Sequence, residues 1–217
     1  MSCVLAIETS GTTCGAAVVI DDLLASEVAI YRPHQHDERL AACVRQALDH
    51  ANRTIDNVDV IAISAGPGSF TGLRIGASFV KGLCVTGSPK LVAVPTLSAC
   101  AAAAVEVAVF AGAASIVATV VSHRDLVYFQ RFAVDGSPHS PSDFITVEEA
   151  RGRISPSDLV CGPGASTLID APISGLTRLA PRFVAKAART LILDGRFTDP
   201  AIFVPDYQQD FVPRGSA

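Results

Sequence analysis

The stretch Ala65-Gly66-Pro67-Gly68-Ser69-Phe70-Thr71-Gly72-Leu73-Arg74-Ile75-Gly76 constrains this chain more than any other. It follows an apolar run from Val58 to Ser64 in which Val60, Ile61 and Ile63 are β-branched, the pattern of a short buried strand. Gly66 and Gly68 allow a sharp turn, and Ser69 is placed to cap a helix beginning at Phe70. The unit reads as strand, glycine loop and helix. Free N–H groups in such a loop and at the helix start favour an anion, which makes phosphate the first ligand to weigh. A tight strand-to-helix connection without any ligand is the competing reading, and the loop chemistry alone does not separate the two.

The helix predicted from Phe70 to Val85 carries Gly72, Gly76 and Gly82 together with Ala77 and Ser78. Each internal glycine weakens an exposed helix by about 1 kcal/mol, so close packing against another element must offset that cost. Upstream, Cys3–Glu8 and Cys14–Ile20 read as a strand pair around a polar turn, and Leu23–Ile30 as a third antiparallel strand. From Asp37 onward Leu40, Val44, Ala47, Leu48 and Ala51 recur at helical spacing. Leu91–Val94 is a further strand, and Thr96-Leu97-Ser98 opens an alanine-rich helix.

A second block repeats this grammar. Ser115–Val121 and Leu126–Ala133 read as strands, Thr146 as a helix cap, and Leu159-Val160-Cys161 runs into a second glycine turn, Gly162-Pro163-Gly164. Val184–Leu193 is helical and the tail from Pro205 is extended or irregular. The two blocks predict an α/β protein of two lobes, residues 1–102 and 103–204, with 205–217 a tail packing back on the first lobe; a single-domain α/β topology is the alternative. The closing Phe211-Val212-Pro213-Arg214-Gly215-Ser216 resembles an engineered protease site and is set aside from functional reasoning.

With 49% hydrophobic and 18% charged residues in 217, the chain is expected to fold around a sizeable core. A net charge of -4 argues against autonomous nucleic-acid binding, because phosphate neutralisation supplies most of that affinity, so any RNA contact is expected to be shared with a partner. The six cysteines are scattered with no C-x-x-C pair and read as reduced core residues. The opening apolar run ends at Glu8, too early for a secretory signal, and Glu106 and Gly112 interrupt the alanine and valine run from Ala99 to Ala118. A cytoplasmic protein without membrane contact is the expectation.

Known catalytic patterns fit poorly. Gly66, Gly68 and Gly72 are spaced one residue too long for a dinucleotide fingerprint, and Lys81-Gly82 lies down the helix and in the wrong order for a P-loop. Ser69 lacks the G-x-S-x-G frame of a nucleophile elbow. His34-Gln35-His36-Asp37-Glu38 is the best metal-ligand cluster, but no H-x-x-x-H pair exists and a solvated helix start explains it better. Glu8 could orient Mg²⁺ or water near a nucleotide, or hydrogen-bond the Thr9–Thr13 turn; the second role is favoured.

Leu5-Ala6-Ile7-Glu8-Thr9-Ser10, His36-Asp37-Glu38-Arg39-Leu40 and the glycine stretch through Gly76, continued by Lys81-Gly82, together resemble the bacterial TsaB (YeaZ) family. The resemblance is strongest in the N-terminal half. It implies a two-lobed, actin-like, sugar-kinase/Hsp70-type fold with mixed sheets flanked by helices. It also implies a non-catalytic subunit in forming N6-threonylcarbamoyladenosine at position 37 of tRNAs reading ANN codons. The paralogous TsaD carries the metal and the transfer chemistry, and TsaE is an ATPase partner.

By that resemblance this chain requires no cofactor of its own, with a nucleotide at the complex interface left open, and pairs with TsaD or with a second copy of itself while meeting tRNA indirectly. Leu40, Val44, Leu48, Leu73, Arg74, Gly76, Ala77 and Val80 are the expected pairing surface. Glu8, Thr9, Ser10, Gly66, Gly68, Ser69 and Thr71 are the expected remnant of an anion or nucleotide loop. The alternatives are a phosphotransferase or peptidase of the same wider fold, or a homodimeric scaffold with no tRNA role.

Overall fold

A computed structural model describes residues 2–32, 36–86, 89–123 and 125–207. Two mixed sheets organise it. In the first, β1 (Cys3–Glu8) pairs antiparallel with β2 (Cys14–Ile20), which pairs antiparallel with β3 (Leu23–Ile30). On its other edge β1 pairs parallel with β4 (Val60–Ser64), and β4 with β5 (Lys90–Val94), giving the order β3-β2-β1-β4-β5. The second sheet repeats the plan. β6 (Ser115–Val121) pairs antiparallel with β7 (Leu126–Phe132), β7 with β8 (Asp143–Thr146), and β6 parallel with β9 (Asp158–Cys161), in the order β8-β7-β6-β9.

Alternation along β1 sorts its side chains between two helix layers. Leu5 and Ile7 share a core with Leu40, Val44 and Leu48 of α1 (His36–His50) and with Ala77 and Val80 of α2 (Phe70–Thr86). Ala6 faces the opposite core, shared with α3 (Thr96–Ala111) and α6 (Pro181–Leu193). That core is continuous with Ile116, Ala118 and Val120 of the second sheet, so α3 is buried between the two sheets, and Ala99, Ala101, Ala104 and Ala108 are each fully covered. Methyl-sized side chains allow that close approach. The outer face of the second sheet is covered by α4 (Val147–Arg153), which Thr146 caps by accepting from Glu149 N–H at 3.1 Å, and by α5 (Ala165–Leu168).

Two features depart from the sequence reading. Helix α3 runs unbroken across residues 102 and 103, where the lobe boundary was placed. Helix α6, assigned to the second lobe, packs on β1, β2 and β5 of the first. Val184, Ala185 and Ala188 bury its apolar stripe there, and Arg182–Glu27 (2.7 Å) and Arg189–Asp22 (2.9 Å) fix its length against β3 and the turn before it. A 3.6-residue period shows which stripe is apolar, not which sheet covers it. The short strand β8 and helix α5 carry too little periodicity to be read from sequence. No helix among the described residues is long and apolar enough to cross a membrane.

Candidate functional site: the glycine loop and the end of β1

The parallel pairing of β1 with β4 brings Glu8-Thr9-Ser10 beside Ser64 and the loop Gly66–Ser69. Glu8 is fully buried, and its Oε1 accepts from Ser10 N–H and from Ser10 Oγ, both at 2.6 Å. Ser10 in turn accepts from Ser69 N–H through its carbonyl at 2.7 Å. The carboxyl group, the turn and the helix cap are thereby one chain of hydrogen bonds. Ser69 Oγ accepts from Gly72 N–H at 3.3 Å, the N-cap geometry read from the sequence.

Burial pushes the Glu8 carboxyl up to about 7, against the pull of the Ser10 and Ser64 hydroxyls and of the Ser10 and Gly11 backbone. Among the described residues its Oε2 and the Oγ of Ser64 meet no partner in hydrogen-bond geometry. A proton on Oε2 relieves that shortage, since the neutral acid can donate to Ser64. The side chain acts in the turn, the role favoured from sequence over metal binding. Among the described residues no group of three or more His, Cys, Asp or Glu could hold a metal ion. His34 and Gln35 lie outside the described residues.

Several N–H groups of the loop are bonded within the chain. Ala65 N–H donates to Val94 carbonyl (2.8 Å), Gly66 N–H to Thr96 Oγ1 (3.2 Å), Ser69 N–H to Ser10, and Pro67 has none. The space at Gly66, whose φ is +120°, is filled by the carbonyl of Asp206. Thr71 is exposed on the first turn of α2. Strand, turn and cap thus take up the N–H groups of Ala65, Gly66 and Ser69.

The glycine-rich face of α2 is likewise spent inside the chain. A Cβ at Gly76 would collide with Thr9 Oγ1 and lie 2.9 Å from Ile63 Cδ1, and one at Gly72 would meet the Thr9 carbonyl. Leu40, Val44, Leu48, Leu73, Ala77 and Val80 are all under 9% exposed. Of the expected pairing residues only Arg74 is exposed, its guanidinium 4.0 Å from the centre of the Phe70 ring. Small residues signalled a close approach, and what approaches is the turn after β1, at Thr9, together with Ile63 of β4 in the same chain. The outward stripe of α2 is instead Thr71, Arg74, Ser78, Gly82 and Val85. Sequence spacing contained that stripe but carried no mark to single it out.

The family model described as TsaD, tRNA N6-adenosine threonylcarbamoyltransferase, matches residues 28–150. A tRNA N6-adenosine threonylcarbamoyltransferase from Clostridium botulinum strain 657 is 35% identical over 105 residues, 41% of this chain but 31% of that protein, so the chain spans about a third of that relative. The tRNA threonylcarbamoyladenosine biosynthesis protein TsaB of Haemophilus influenzae is 29% identical over 161 residues, 73% of this chain and 64% of that one. TsaB of Escherichia coli K12 is 27% identical over 132 residues, covering 61% and 55%. YeaZ from Pseudomonas aeruginosa superposes with a TM-score of 0.77 at 24% identity over 95% of this chain and all of that one, so the two share a fold. The match to the TsaD protein is higher in identity but covers 41% of this chain, whereas the match to TsaB of Haemophilus influenzae covers 73%. This chain belongs to the family described as TsaD, tRNA N6-adenosine threonylcarbamoyltransferase, and its likeness to the curated TsaB proteins supports the TsaB (YeaZ) family.

Proposed function

We propose that this protein serves the formation of N6-threonylcarbamoyladenosine at position 37 of tRNAs reading ANN codons, as a non-catalytic subunit acting through a TsaD-like transferase. The observation that carries the reading is the likeness to TsaB over 73% of the chain, extending past the segment shared with TsaD. The site geometry supports it. Glu8, Ser10 and Ser69 are committed to one another, and the loop's N–H groups are largely paired within the chain. The chain's task in this reading is to assemble and activate, with a TsaE-like ATPase and a second copy of itself as further partners and tRNA met through the complex.

The surface proposed for pairing is the outward stripe of α2 from Thr71 to Val85, whose last residue is 85% exposed. Gly82 has open space around it, which lets a partner backbone come near. Reconstitution tests the function. A TsaD-like transferase, a TsaE-like ATPase and a source of threonylcarbamoyl-AMP are expected to modify tRNA only when this protein is added. Full modification without it would overturn the reading.

A further inference from the structure

Residues 198–207 cross the rim of the molecule as a strap. It is first anchored on β5, where Thr198 N–H donates to Leu91 carbonyl at 2.8 Å in an isolated antiparallel bridge. A turn follows in which Asp199 accepts from Ala201 N–H (2.8 Å) and Phe203 N–H (3.0 Å), and Phe203 is pressed into the first core at 5% exposure. Asp206 N–H then donates to Ala65 carbonyl at 2.7 Å, and the Asp206 carbonyl seats against Gly66.

Tyr207 reaches both lobes. Its ring centre lies 5.0 Å from that of Phe70 on the first turn of α2, and its carbonyl accepts from Tyr128 Oη of β7 at 3.1 Å. Tyr128 stacks in turn on Phe144 of β8 at 4.8 Å.

We propose that this strap is a latch: Asp206 and Tyr207 hold the glycine loop and the first turn of α2 in register with the second lobe, and their release loosens that rim while both sheets stay folded. The two ends of the strap differ in the way a latch requires. Thr198 and Phe203 are tied to β5 and the first core. On either side of Phe203, Ile202 and Val204 are 76% and 67% exposed over a cavity of about 420 Å³ lined by Ala65, Gly66, Ala93, Pro95 and Phe203. Beyond Phe203 the strap is held by buried Pro205, the Asp206–Ala65 hydrogen bond and the contacts of Tyr207, a short set that can open locally below the free energy of global unfolding. The continuous core around α3 keeps the sheets together when it opens.

Amide hydrogen exchange on the full chain, resolved to peptides, tests the latch. Tyr207→Ala is expected to raise exchange about ten-fold or more in 66–73, and to leave the sheet strands 3–8, 115–121 and 126–132 unchanged. Tyr207→Phe keeps the ring and the carbonyl and is expected to exchange like the parent. No change in Tyr207→Ala would overturn the proposal. A uniform rise over all peptides would also overturn it, by showing that Tyr207 only adds to global stability.

Discussion

The carbonyl of Asp206 fills the space that a side chain on Gly66 would need, so a residue near the end of the described chain dictates the identity of one in its first half. Gly66 also has a φ of +120°, which side-chain-bearing residues rarely adopt. Gly66→Ala is therefore expected to destabilise the protein by about 2–4 kcal/mol, read from urea unfolding. Gly82→Ala, in open space within α2, is the contrast: it is expected to stabilise by about 0.5–1 kcal/mol through helix propensity alone. Equal effects at the two sites would show that crowding at Gly66 is not the cause.

Glu8 makes stability depend on pH. Its folded value is raised to about 7 from an ordinary 4.5, so its contribution is fully present below about 4.5 and is lost as pH rises through 7. Glu8→Gln keeps an acceptor for Ser10 and removes the titration. At pH 8 the variant is expected to be more stable than the parent, by on the order of 3 kcal/mol at most, with the difference shrinking towards pH 5. Parallel stability curves for the two proteins between pH 5 and 8 would refute the assignment.

The two faces of α2 are expected to respond differently to charge. Gly76→Asp drives a carboxylate against Thr9 and Ile63 and is expected to prevent folding, seen as loss of a cooperative thermal transition. Val85→Asp, on the exposed stripe, is expected to leave the circular dichroism spectrum and melting temperature near those of the parent while weakening pairing in sedimentation velocity. Unchanged pairing in Val85→Asp would remove this stripe from the interface.

Thr146 accepts from Glu149 N–H at the start of α4. Thr146→Ala is expected to cost about 1 kcal/mol, and Thr146→Ser to retain most of the parent stability in chemical denaturation. A null effect for alanine would mean that solvent satisfies the helix start equally well.

Much of the architecture was legible in the amino-acid order because the signals are local. β-Branched runs marked β1, β2, β4 and β6, Ser69 and Thr146 marked helix starts, and the clustered glycines marked where a helix must come close to another element. The expected pairing surface was misjudged at Leu40, Val44, Leu48, Leu73, Gly76, Ala77 and Val80 for a definite reason. An apolar or small-residue stripe looks the same whether its own sheet or another molecule covers it.

The chain order thus specified the repeated strand-and-helix plan, the turn around Glu8 and the resemblance to TsaB, all carried by residues close together in sequence. Folding in three dimensions settled the rest: that Thr9 and Ile63 fill the groove of α2, that α6 returns to the first sheet, that burial raises Glu8, and that Asp206 closes over Gly66 and Tyr207 over Phe70. Each of these joins groups far apart along the chain. Burial and complementary fit between such groups are properties of the packed chain, and no local pattern encodes them.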